Sequence, residues 1–235
     1  MLAILKLCKL MIHFDNVNKK FPFGNTALKD ICLEIENDEF VFVVGPSGAG
    51  KTTLLKLITR ELLPSSGSIF IDDVDISQKN FHQTNKLRQK IGMVFQDFKI
   101  LNEKTVFENV TLALTISHLN TESIKTAVHQ ALQAVGLQNK DNFFPLQLSM
   151  GELQRVAIAR AISGERKLII ADEPTGNLDP KTTWEIMKIF KKLEGKKTIL
   201  IATHNTDVVN SFKKRVIVIK DGRILKDTRK GGYDL

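Results

Sequence analysis

The stretch from residue 40 to 62 leaves the chain few alternatives. Five apolar residues, FVFVV, run directly into GPSGAGKTT at 45–53, which leads into the amphipathic pattern LLKLITREL. The middle block is G-x-x-x-x-G-K-T, with the strand before and the helix after that this pattern requires. Glycines let the backbone bend so that successive N–H groups point at one spot, and the helix start adds partial positive charge there. The spacing predicts a phosphate-cradling loop made of Gly45, Pro46, Ser47, Gly48, Ala49, Gly50, Lys51, Thr52 and Thr53. In such a loop Lys51 reaches the outer phosphates of a nucleotide and Thr52 is placed to ligate Mg²⁺. A purely structural glycine turn is the bland alternative. The bare pattern, however, arises by chance in only about one chain of this size in a hundred.

Similar apolar runs recur along the chain. The pattern predicts strands over 12–16, 31–36, 40–44, 68–71, 91–95, 168–171, 198–202 and 216–220. Helices are predicted over 50–60, 106–116, 122–135, 151–164, 180–193 and 206–212. Continuous apolar strands alternating with helices indicate an α/β fold whose sheet is buried on both faces. In the 122–135 segment, Ile124, Ala127, Val128, Ala131, Leu132 and Val135 share one helical face, with Thr121 as the expected N-cap. The stretch 97–164 reads as helical and both flanks as strand-rich, so a helical lobe inserted in a core of about 11–96 and 165–226 is expected. A single domain from 11 to 235 follows, with 1–10 as an uncertain extension. The end of the chain, from Asp221, reads as an edge hairpin and a basic tail.

Composition narrows the partners. Thirty-four Lys and Arg against 26 Asp and Glu give +8, which favours anionic ligands or surfaces. A solvated basic face explains the same number equally well. Cys8 and Cys32 are too few for a disulfide framework, and the five His show no metal-ligand spacing. Lys6 and Lys9 interrupt the apolar start, no small-residue cleavage site follows, and no run of about 18 apolar residues occurs. A cytoplasmic chain is expected.

A second acidic element lies in KLIIADEPTGNLDP, 167–180. An apolar strand ending in Asp172 and Glu173 places one carboxylate to hold Mg²⁺ through water and the next to deprotonate an attacking water. Acids often end strands, so the element gains weight only beside the phosphate loop.

The segment LSMGELQRVAIARAI, 148–162, resembles the signature of the ATP-binding-cassette (ABC) ATPases. With it come Gln96 after IGMVF, Asp179 in GNLD and His204 after TILIA, in that family's order and over about 11–226. The resemblance implies a P-loop NTPase core with an antiparallel β-subdomain and an inserted α-helical subdomain. It also implies an ATP sandwich between two chains. Glu173 would be the general base, His204 would hold the γ-phosphate, and Gln96 would touch Mg²⁺ or the water. Ser149 and Gly151 would contact the γ-phosphate bound by the partner chain, Asp179 would link the two sites, and Phe21 would stack on adenine where the family usually carries Tyr. Met150 replaces the usual first glycine of the signature, and Leu153 stands where Gln is common.

Within that family, ADEPTGNLDP is similar to the subgroup that serves cell-division, lipoprotein-release and macrolide-type systems, and VFQDFKILNEKTVFENV is most similar to its cell-division branch. This implies a dimeric ATPase, peripheral on the cytoplasmic membrane face, bound to an FtsX-like integral-membrane subunit and driving a conformational signal, with no nucleic acid partner. Phe98, Ile100, Leu101, Val106 and Phe107 are the candidate apolar contacts for that subunit, with core burial the plainer reading of Val106 and Phe107. The engine of a true transporter and a soluble ATP-switched binding module are the alternatives.

Overall fold

Strand alternation organises the interior. The computed structural model describes residues 10–22, 24–116 and 119–232; the expectations for the apolar start, Cys8 and the last three residues fall outside that range. β3 (Phe40–Val44), β6 (Ile91–Val94), β7 (Leu168–Asp172), β8 (Thr198–Ala202) and β9 (Arg215–Lys220) pair in parallel, and β10 (Arg223–Thr228) closes one edge antiparallel. The sheet order is β10-β9-β3-β8-β7-β6. Successive side chains along each strand point to opposite faces. Phe40, Phe42 and Val44 therefore join one hydrophobic cluster, whereas Val41 and Val43 join another. Both faces of β3, β7 and β8 are buried throughout, which is why these strands are unbroken apolar runs.

The second cluster fills the space beneath an antiparallel sheet in the order β2-β1-β4-β5, formed by β1 (Leu10–Lys20), β2 (Thr26–Glu36), β4 (Ser66–Ile71) and β5 (Val74–Asp75). α1 (Lys51–Ile58) packs there through Leu54, Leu55, Leu57 and Ile58. On the other face lie α3 (Val106–Thr111), α4 (Thr121–Ala134), α5 (Met150–Ile162), α6 (Pro180–Leu193) and α7 (Thr206–Phe212). Between β6 and β7 the described residues form helices and loops only. Val128, Leu132 and Val156 from that stretch share one cluster with Phe42 and Ile169 of the sheet.

Several boundaries differ from expectation. β1 and β2 are longer than predicted, because bulged pairing carries them through polar stretches. α2 (Thr84–Lys90) was not predicted; its only buried side chain is Leu87, so it has no apolar periodicity to read. The expected 106–116 helix ends at Thr111 and continues as turns. Asn120, not Thr121, caps α4: its side-chain oxygen accepts from the Ser123 N–H at 2.8 Å. Either residue type serves as a cap, and the extended backbone at Asn120 decides between them.

Candidate active site

Four parallel strands deliver chemistry at their carboxyl ends, where ligands bind in open α/β sheets. β3 runs into the 45–53 loop, β6 leads to Gln96, β7 ends at Asp172 and Glu173, and β8 is followed by Thr203 and His204. Residues 46–53, Gln96, Asp172, Glu173, His204 and Phe21 line one cleft of about 810 Å³, with Gly45 and Thr203 outside its lining.

Gly50 ends the loop at φ 112°, a conformation that side chains avoid, and opens α1. A Cβ there would also meet the Ala27 carbonyl at 2.7 Å, so the loop is pressed against β2. Lys51 is buried, and its ammonium donates to the Gly45 and Pro46 carbonyls at 2.7 and 3.2 Å. It lies 3.9 Å from Glu173 Oε1.

Glu173 is held from three sides. Its backbone N–H donates to the Ala202 carbonyl at 2.8 Å, His204 Nδ1 pairs with Oε1 at 2.9 Å, and the His204 backbone N–H donates to Oε2 at 3.3 Å. Asp172 lies deeper. Its carboxylate lies beside Thr52, and Oδ1 is buried without a hydrogen-bond partner. Burial first, then the Glu173 charge, raises the Asp172 pKa against the lowering effects of Thr52 and Lys51. An orphaned buried carboxylate oxygen beside a threonine hydroxyl is an oxygen-donor set suited to a hard divalent cation.

Phe21 closes the far end of the cleft, with the Lys19 ammonium 5.4 Å from its ring centroid. That end also contains Asn25, Thr26, Ala27, Lys29, Asp221 and Gly222, which sequence reasoning did not mark as site residues. The Asp221-Gly222 dipeptide was legible as a turn. Its docking, with Gly222 N–H on the Ala49 carbonyl and Lys29 N–H on the Gly222 carbonyl, depends on tertiary packing.

Three expected residues are not brought to this cleft within the chain. Ser149 caps α5 reciprocally with Glu152, whose carboxyl the Ser149 backbone N–H holds below its ordinary pKa. Asp179 caps α6, accepting from the Thr182 N–H at 3.0 Å. Gly151 lies against Thr182, where a Cβ would come within 2.5 Å of its methyl. These helix starts thus adjoin one another, with Met150 half exposed between them and the solvent.

A model of the family described as ABC transporter matches residues 28–176, more than half of the chain. The cell division ATP-binding protein FtsE of Bacillus subtilis (strain 168) is 48% identical over 95% of this chain and 98% of its own length. Its namesake in Mycobacterium tuberculosis (strain ATCC 25618 / H37Rv) is 41% identical over 96% and 99%. A methionine import ATP-binding protein of Bacillus thuringiensis subsp. konkukian (strain 97-27) is 41% identical over 92% of this chain and 66% of its own. Among solved structures, a dimeric bacterial ABC transporter cassette superposes with a TM-score of 0.85 at 37% identity, covering 95% of this chain and all of that one. The same cassette in a post-hydrolysis state bound to ADP and Pi superposes equally well, at 36% identity. The phosphate loop, the paired acids and the full-length likeness converge on one conclusion: the chain belongs to the ABC transporter family, as one of its ATP-hydrolysing cassettes.

Proposed function

We infer that this cassette is the ATPase subunit of a membrane-associated complex acting in cell division, where it drives a conformational signal through an FtsX-like integral-membrane partner. The observation that carries the hydrolytic part is the convergence of Lys51, Glu173 and His204 on one cleft, Glu173 lying 3.9 Å from the ammonium and 2.9 Å from the imidazole. The division role is supported by near-full-length identity with proteins named for it.

In this reading the 45–53 backbone and Lys51 hold the ATP phosphates, and Phe21 stacks on the base. Glu173 accepts the proton of the attacking water, while His204 orients that carboxylate and holds the γ-phosphate. Thr52, Asp172 and Gln96 would hold Mg²⁺, which when bound would offset charge on the β- and γ-phosphates. Ser149 and Gly151 serve the site of a second copy, and Asp179 links the two, so ATP closes a homodimer. Helix starts suit this use because they present unpaired N–H groups to anions. Residues 97–164 act as the inserted helical lobe between core segments of about 11–96 and 165–226, and Leu101 contributes to contact with the membrane subunit. No described helix is long and apolar enough to cross a membrane. Attachment to the cytoplasmic face would therefore come through the partner.

The test is to purify the Glu173→Gln protein with its membrane partners in ATP. Recovery of a four-span subunit with one large external loop before the second span supports signalling. A multi-span permease would instead make the chain a transport engine, a reading that the 41% identity with methionine import proteins keeps second.

A further inference from the structure

The loop after Gln96 is held in a conformation that its own residues do not favour. The Phe98 N–H donates to the Phe95 carbonyl at 3.2 Å, closing a turn around Gln96. Phe98 and Lys99 then follow with φ of 58° and 50°, two successive non-glycine residues in the left-handed region. One side chain grips both. Arg160 Nη2 donates to the Phe98 carbonyl at 2.6 Å and Nη1 to the Lys99 carbonyl at 2.5 Å. A planar guanidinium fork matches two adjacent carbonyls as an ammonium cannot. Burial lowers the Arg160 pKa. The far side of the loop is fixed separately, because the Asn109 side chain accepts from the Leu101 N–H and donates to the Leu101 and Lys104 carbonyls.

Arg160 also has a fixed base. Gly92 on β6 lies so close to α5 that a Cβ there would sit 1.9 Å from the Ala161 carbonyl. The helix is thus keyed to the strand that leads into Gln96. Eleven residues up the same helix, about 16 Å at 1.5 Å per residue, Ser149 forms its N-cap.

We propose that Arg160 is a positioning residue for hydrolysis, tying the reach of Gln96 into the cleft to the helix whose other end carries Ser149. Because α5 is keyed to β6, Arg160 holds the Phe98 and Lys99 carbonyls, and with them the turn around Gln96, in fixed register with the Ser149 end of the helix. The phosphate loop shares none of these bonds. This inference rests on the ATPase reading of the cleft.

The test compares Arg160→Lys, Lys99→Gly and the double variant, each as the full chain with its membrane subunit, by ATP affinity and steady-state hydrolysis. The expectation is that Arg160→Lys binds ATP like the parent but loses about ten- to a hundredfold in kcat, the scale of a small misplacement, with KM little changed. Lys99→Gly alone keeps the parental rate. In the double variant glycine takes the left-handed conformation without strain, so most of the lost kcat returns. Hydrogen exchange should quicken at 97–101 in Arg160→Lys while β3 and α1 keep their protection, which separates release of the loop from unfolding. A parental kcat in Arg160→Lys, or a loss that Lys99→Gly does not restore, overturns the coupling. Failure of the parent itself to bind ATP overturns the reading of the cleft beneath it.

Discussion

Glu173 Oε1 and His204 Nδ1 lie 2.9 Å apart although 31 residues separate them in the chain. The register of β7 on β8, with Asp172 opposite Ala202, brings their strand ends level. Glu173 itself has φ 47°, a left-handed backbone that bends its side chain off the strand axis. Such strained conformations persist where surrounding bonds over-determine them, and here the Ala202 carbonyl and both His204 donors do so. The carboxylate is set before any water arrives. We expect His204→Ala to cut hydrolysis about 10²–10⁴-fold, the usual worth of a positioned proton-transfer site, with ATP affinity changed only a few-fold. Parental turnover would show that the contact only ties strand ends together.

Lys51→Ala should abolish nucleotide binding, because it removes the buried ammonium held against the loop's Gly45 and Pro46 carbonyls. Titration with a fluorescent ATP analogue tests this. Unchanged affinity would refute the assignment of the 45–53 loop.

Asp172 makes a prediction about stability against pH. Burial raises its native pKa above the ordinary 3.8, so the folded chain binds that proton more readily than the unfolded one. The contribution of this group is then most favourable below 3.8 and is lost as pH rises through the higher native value. Asp172→Asn removes the buried charge. It should melt a few degrees above the nucleotide-free parent at pH 7, at about 2–4 °C per kcal/mol for a chain of this size. Acidification should narrow the difference. Melting curves that stay parallel across that range would mean that Asp172 is not a buried charge in solution.

Gly92→Ala tests the keying of α5 to β6. With a carbonyl oxygen 1.9 Å from the new Cβ, strand or helix must shift. We expect a loss of about 1–3 kcal/mol or more, as for overpacked cores, read from urea unfolding midpoints. A neutral substitution would show that α5 slides freely on the sheet.

Leu101 is 39% exposed, whereas Val106 is fully buried and Phe98 and Phe107 pack against the core cluster. Leu101→Asp should therefore weaken co-purification of the membrane subunit tenfold or more while leaving ATP binding intact, since it would bury an unpaired carboxylate in an apolar contact. Equal recovery of the subunit would remove this residue from the interface.

Much of the candidate site was legible because local sequence dictates it. A loop that must turn its N–H groups inward needs glycine, a buried parallel strand needs an unbroken apolar run, and the charged residue ending that run emerges at the sheet's carboxyl edge. Lys51 could be placed from the loop pattern and Asp172 and Glu173 from the strand that they end, whereas His204 was marked through the resemblance to the ABC ATPases. The 180–193 and 206–212 helices were bounded for a similar reason, since Asp179 and Asn205 cap them locally. The α2 helix left no trace, because with one buried side chain it is supported by contacts rather than by its own periodicity.

Tertiary structure alone decided the rest. Strand order set which ends meet, so that Glu173 faces His204 and the Asp221-Gly222 turn docks on Ala49. It also decided that Arg160, 62 residues from Phe98, supplies the donors that two strained carbonyls require. Sequence encodes backbone preference and burial period over a few residues. Which buried donor reaches which distant carbonyl depends on how the sheet and helices pack, and that is determined only when the whole core closes.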